Sequence, residues 1–180
     1  MNRICTLLII SICCLACNNP QTAQTVASQP ASPRDSIVVT SIPDTPNTDD
    51  EMAHYYLVIL DSGNNYAVLD AAMLQIGRSS RTHIDTMERY FDTKKHKIIL
   101  SEQSDDEIYA GTYYPRRFPS SELSIEYLSY YLPSADTNTM ILVAGITESA
   151  TSADSVAAFY RRGYARTFVL PADIYTGCMH

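Results

Sequence analysis

Ile141-Leu142-Val143-Ala144-Gly145-Ile146, followed by Thr151-Ser152-Ala153-Asp154, Ser155-Val156-Ala157-Ala158-Phe159 and Arg162-Gly163-Tyr164, is the stretch on which the fold turns. Six apolar residues in a row are the composition of a buried strand. Thr151-Ser152-Ala153-Asp154 supplies the hydroxyl and carboxylate groups that open a capped helix. That helix is expected to run to Arg162 and stop at Gly163, and Phe168-Val169-Leu170 reads as the next strand.

The same unit occurs earlier in the chain. Residues 55–60 read as a buried strand and Ser62-Gly63-Asn64-Asn65 as a turn. A helix follows over residues 66–76, with Ala67, Ala71 and Leu74 on one stripe and Gly77 placed to cap it. The two units align with two single-residue gaps. Leu57-Val58 matches Leu142-Val143, Ala71-Ala72 matches Ala157-Ala158, Gly77 matches Gly163, and Arg81-Thr82-His83-Ile84 matches Arg166-Thr167-Phe168-Val169. The ordered set points to an internal duplication, with half-repeats at 55–84 and 140–171. Between them, residues 97–100 and 108–114 read as strands joined by the acidic loop 101–107. Ser120-Ser121-Glu122 then starts a helix to residue 132 that carries Leu123, Tyr127 and Tyr130 at helical spacing.

A strand, a small polar turn, a helix with paired alanines, a glycine stop and a second strand, given twice, resembles the SPOR domain. The residues that carry the resemblance are Ile141-Leu142-Val143-Ala144-Gly145-Ile146, Ser155-Val156-Ala157-Ala158-Phe159 and Arg162-Gly163-Tyr164. In that family two half-repeats build a four-stranded antiparallel sheet with two helices behind it. The resemblance therefore implies an α+β fold, mainly antiparallel, with helices on one face and a middle insertion. It also implies binding of septal peptidoglycan stripped of its stem peptides, through the open face and rim of the sheet. The family occurs on envelope proteins behind long flexible tethers.

The layout upstream agrees with such an address. Met1-Asn2-Arg3 is a short cationic start, and residues 4–16 carry no charge. That run is shorter than the roughly 20 residues a membrane-spanning helix needs, but it suits the core of a cleaved export signal. Leu15-Ala16-Cys17 resembles the lipobox of bacterial lipoproteins, with Cys14 standing where that box usually has leucine. The resemblance implies that Cys17 becomes a lipidated N-terminus; the other reading is an ordinary secretory signal. Several acyl chains anchor stably where one is marginal. Residues 17–51 contain Pro20, Pro30, Pro33, Pro43 and Pro46 among Ser, Thr, Gln, Asn and Asp, the composition of a flexible linker. Residues 52–180 then suffice for one domain with its own core. The chain is thus expected in the cell envelope, exported and held to a membrane by lipid alone, with inner and outer membrane left open.

Of five cysteines, Cys5, Cys13 and Cys14 leave with the signal and Cys17 is taken by lipid, so Cys178 alone remains for the mature fold. No intrachain disulfide is expected. A formal charge of −7 and the export signal argue against a nucleic-acid partner. Thirteen tyrosines and no tryptophan favour side chains with one end buried and the other facing water or sugar.

Tyr113-Tyr114-Pro115-Arg116-Arg117-Phe118 is the candidate ligand string. Guanidinium groups bind carboxylates bidentately and the rings stack on sugar faces, so Tyr113, Tyr114, Arg116 and Arg117 are the binding candidates. The competing reading pairs the arginines with Asp105, Asp106 or Glu107. Glu102, Asp105, Asp106 and Glu107 lie along one polar loop, without the asymmetric acid pair of a glycosidase or the glycine of a calcium loop. Gly177-Cys178-Met179-His180 brings a thiol near an imidazole, as a thiolate nucleophile requires. A buried free thiol is the favoured reading, and His54, His83 and His96 complete a metal site only if the fold gathers them. No catalytic residue, metal or cofactor is expected. The expected partner is peptidoglycan or an envelope protein. The rivals are a Cys178-dependent enzyme and a structural partner of another envelope protein.

Overall fold

The computed structural model describes residues 51–177, so the signal, Cys17, the linker through residue 50 and the Cys178-Met179-His180 end lie outside the described residues. The chain forms β1 (Met52–Gly63), helix α1 (Tyr66–Ser80), β2 (Arg89–Asp92), β3 (Lys97–Leu100), β4 (Ser124–Tyr127), β5 (Met140–Thr147), helix α2 (Ala150–Arg161) and β6 (Phe168–Tyr175). Residues 140–146 are all buried, so their strand belongs inside a sheet. β5 lies there, in a four-stranded antiparallel sheet ordered β4-β5-β1-β6, and β2 pairs with β3 in a separate hairpin. This is a split β-α-β arrangement: β1-α1-β4 and β5-α2-β6 interleave, with their first strands adjacent at the centre. The fold is α+β with a mainly antiparallel sheet.

Alternation along the strands sorts the core into two clusters. Val58, Leu60, Met140, Leu142 and Ala144 point to one face, where Leu69, Met73 and Ile76 of α1 and Ala153, Ala157 and Tyr160 of α2 meet them. Both helices therefore sit on that face. Leu57, Ile59, Ile141, Val143, Ala172 and Ile174 point the other way and are buried with Tyr131. The face without helices is aliphatic.

The duplication is real in the architecture, but its register differs from the gapped alignment. Asn65 caps α1 by accepting from the Val68 amide, and Ser149 caps α2 by accepting from the Ser152 amide, 84 positions further on. The same offset superposes Leu69, Met73 and Ile76 on Ala153, Ala157 and Tyr160. It also carries Val58 onto Leu142 and Ile59 onto Val143, each on the matching face. The gapped alignment instead put Leu57 opposite Leu142, on opposite faces, and exposed Ala71 opposite buried Ala157. Ala67, Ala71 and Leu74 all face solvent, and the buried stripe of α1 lies two residues round the helix. In α1 large side chains fill the contact, whereas α2 approaches through two alanines.

Other expectations need correction. α1 continues through Gly77 and ends at Arg81, whose φ of 57° makes the left-handed stop. Gly77 serves close approach instead, because a Cβ there would lie 3.0 Å from the Ile84 Cδ1. Residues 81–84 form no strand beyond the single bridge of Ile84 to Leu123, so the first half-repeat is closed by β4. The inserted segment is thus residues 81–123. The expected helix over 120–132 is β4 followed by a short 3-10 turn, Leu128–Tyr130. Residues 123–127 are all buried, and only an extended strand sends such consecutive side chains to two interiors. The strand expected at 108–114 is lost to a local turn, in which Asp106 accepts from the Ile108 and Tyr109 amides through its side chain. Ser120 does pair with Ile146, and Gly145 permits it: a Cβ there would meet the Ser120 carbonyl oxygen at 2.8 Å.

Candidate functional site

The inserted segment 81–123 wraps the β4 edge of the sheet, and a buried ion pair fastens it there. Glu126 sits fully buried on β4, on the aliphatic face beside Tyr131, between Ile125 and Tyr127, which face the helices. Arg89 of β2 reaches it with two guanidinium bonds, Nη1 to Oε2 at 2.9 Å and Nη2 to Oε1 at 2.6 Å. The Tyr113 hydroxyl donates to Oε2 at 2.6 Å, and the Arg116 amide lies 3.3 Å from the same oxygen. Burial alone would raise the Glu126 pKa, but the charge and hydrogen bonds of Arg89 outweigh it and hold the carboxyl below its ordinary range. Burial, with Glu126 second, pushes the Tyr113 and Tyr131 phenols well above theirs, so both keep the protons they donate.

This anchor builds one wall of a cleft. The Tyr113 ring lies 4.9 Å from Tyr127 at an edge-on 78° and 4.8 Å from Tyr130 at 58°, and the Arg89 guanidinium stands 5.0 Å from its centroid. Tyr127 accepts from the Ile98 amide at 3.0 Å, which ties β3 to the end of β4. Between them opens a cleft of about 890 Å³, lined by β3, residues 111–113, the 3-10 turn and residues 137–138. Tyr113, Tyr127 and Tyr130 give it aromatic surface; Thr112, Ser129, Thr137 and Asn138 give it hydrogen-bonding groups; Lys95 and Lys97 give it positive charge. Tyr130 lines the opening and is half exposed. The size is that of small-molecule sites generally.

Comparison with protein-family models, with characterised proteins and with solved structures finds no match. The chemistry of the cleft therefore stands on its own residues. Of the four expected ligand residues it contains Tyr113 alone. Tyr114 turns its hydroxyl to the Met87 carbonyl at 2.5 Å. Arg116 is 4 % exposed and donates to the Glu122 carbonyl at 2.8 Å, and Arg117 donates to the Gly177 carbonyl at 3.0 Å. Neither arginine pairs with the acidic loop, where Glu102 bonds Lys95. The string 113–118 is thus mostly a brace between the inserted segment and the sheet.

The histidines are not gathered. His54 bonds Asp173 across β1 and β6, His83 lies beside Glu122, and His96 occupies the turn of the β2-β3 hairpin. Among the described residues no three His, Cys, Asp or Glu side chains converge as a metal site would require, and no helix is long and apolar enough to cross a membrane. The residues that sequence reasoning passed over are Arg89, Glu126, Lys97 and Tyr130 as a wall. In Ser124-Ile125-Glu126-Tyr127 the acid holds the polar position of an alternating strand, where water is its expected surrounding, so no local signal marked its burial.

Proposed function

We propose that the chain is an exported envelope lipoprotein, anchored through Cys17, whose domain binds the glycan of peptidoglycan without acting on it chemically. The observation that carries this reading is the tyrosine-walled cleft of about 890 Å³ at the rim of the sheet. The split β-α-β sheet with both helices on one face is the arrangement that the SPOR resemblance implied, which supports the same reading. The binding surface differs from that family's open sheet face, because here that face is aliphatic and buried. The rim supplies what a sugar chain needs. The Tyr130 ring offers stacking area, and the Ser129, Thr137 and Asn138 side chains offer hydrogen bonds to hydroxyl and acetamido groups.

Cosedimentation of the full-length chain with intact and amidase-treated sacculi tests the reading. Enrichment on treated sacculi is expected, with Tyr130→Ala weakening it about three- to tenfold, the range of an aromatic contact. Absence from both pellets, or unchanged binding by the Tyr130 variant, contradicts it.

A further inference from the structure

We propose that the cleft selects a saccharide bearing a carboxylate, and that Lys97 is the residue that reads the charge. This deepens the glycan reading and rests on it. Two cations line the cleft, and they are not equivalent. Lys95 is already matched by Glu102, with which it forms a direct ion pair. Lys97 makes no ion pair among the described residues. Its cross-strand neighbour in the hairpin is Asp92. Asp92 stays charged but makes no ion pair with Lys97; its Oδ1 accepts from the Lys94 amide at 2.7 Å and from the Lys95 amide at 3.0 Å within its own turn. No carboxylate lines the cleft.

The result is a cleft with aromatic and neutral polar walls and one lysine held in no ion pair among the described residues. A neutral sugar leaves that charge to water. A sugar carrying a carboxylate places it against Lys97 while its ring rests on Tyr130, both of which border the same opening. Lys97 is exposed, so the gain is smaller than for an enclosed pair but larger than for a pair on open surface. Both Lys97 and residues 111–113 belong to the inserted segment, so the charge reader is an addition to the duplicated scaffold.

Calorimetric titration of the full-length chain with two probes of equal length decides the matter. One is the tetrasaccharide of N-acetylglucosamine; the other carries 3-O-lactyl carboxylates on alternate rings. The lactyl probe is expected to bind about five- to tenfold more tightly. Lys97→Gln is expected to erase that preference, with an unaltered circular dichroism spectrum and melting temperature reporting an intact fold, and Lys97→Arg to keep most of it. Equal binding of the two probes by the unaltered chain overturns the role of Lys97 and leaves the glycan reading standing. An equal fractional loss of both probes in Lys97→Gln overturns it as well, since charge is then not what Lys97 contributes. Binding of neither probe overturns the glycan reading itself.

Discussion

Where β1 and β5 meet, the side chains sent to either interior are aliphatic, whereas residues 81–123 are fastened to the same sheet by a guanidinium and a carboxylate. The duplicated scaffold relies on burial, which tolerates some repacking. The inserted segment buries Ile98 and Leu123 in the same core and adds a polar anchor, Glu126, which takes two bonds from Arg89 and one from Tyr113. The cleft stands at the join, one wall from each region. One wall of the cleft therefore rests on a buried ion pair that the seam between β1 and β5 lacks.

Breaking the anchor is the largest expected effect. Glu126→Gln leaves Arg89 buried with a neutral amide in place of its counter-charge, which is expected to cost about 3–5 kcal/mol in chemical unfolding. Replacing the pair together, as Arg89→Met with Glu126→Leu, is expected to recover most of that loss, because two charges no longer need removal from water. The pair also sets an acid limit. The Glu126 carboxyl is held below its ordinary value of 4.5 in the folded state. The stability it contributes is therefore complete above about pH 4.5 and is lost as pH falls through the depressed folded value. The double replacement is expected to flatten the acid side of the stability profile relative to the unaltered chain, and an unchanged slope contradicts that assignment.

A smaller effect sharpens the comparison within the scaffold. Ala157 is fully buried where α2 crosses the sheet, and Ala71, its partner in the gapped alignment, is exposed. Ala157→Leu is expected to cost about 1–3 kcal/mol through overpacking. Ala71→Leu is expected to stay within about 0.5 kcal/mol, as exposed substitutions do. Comparable losses at both sites would restore the gapped register and remove the constant offset of 84 residues.

The strands and helices of the scaffold were legible because their apolar runs are regular and polar residues precede each helix, although the caps are Asn65 and Ser149 and Thr151-Ser152-Ala153-Asp154 lies inside α2. The register was not, since Ala67, Ala71 and Leu74 imitate a buried stripe as well as Leu69, Met73 and Ile76 form one. Spacing alone does not say which of two apolar stripes meets a sheet. Residues 123–130 misled for a related reason. Leu123, Tyr127 and Tyr130 have helical spacing, yet β4 is fixed by its pairing with β5, a long-range interaction that local pattern does not register. The candidate site was legible in part. Tyrosine abundance points toward a ring-lined surface, and Tyr113 lines the cleft. The arginines beside it were taken for ligand groups because their backbone acceptors, the Glu122 and Gly177 carbonyls, become neighbours only in the folded chain.

Hydrogen exchange of the full-length chain, with and without the glycan released from amidase-treated sacculi, tests the placement of the ligand surface most directly. Added protection is expected at residues 97–99, 111–113 and 127–130, the walls of the cleft, with β6 and the outer surfaces of the helices unchanged. Protection centred on β1 and β6, with the cleft unaltered, would contradict it and return the binding surface to the sheet face.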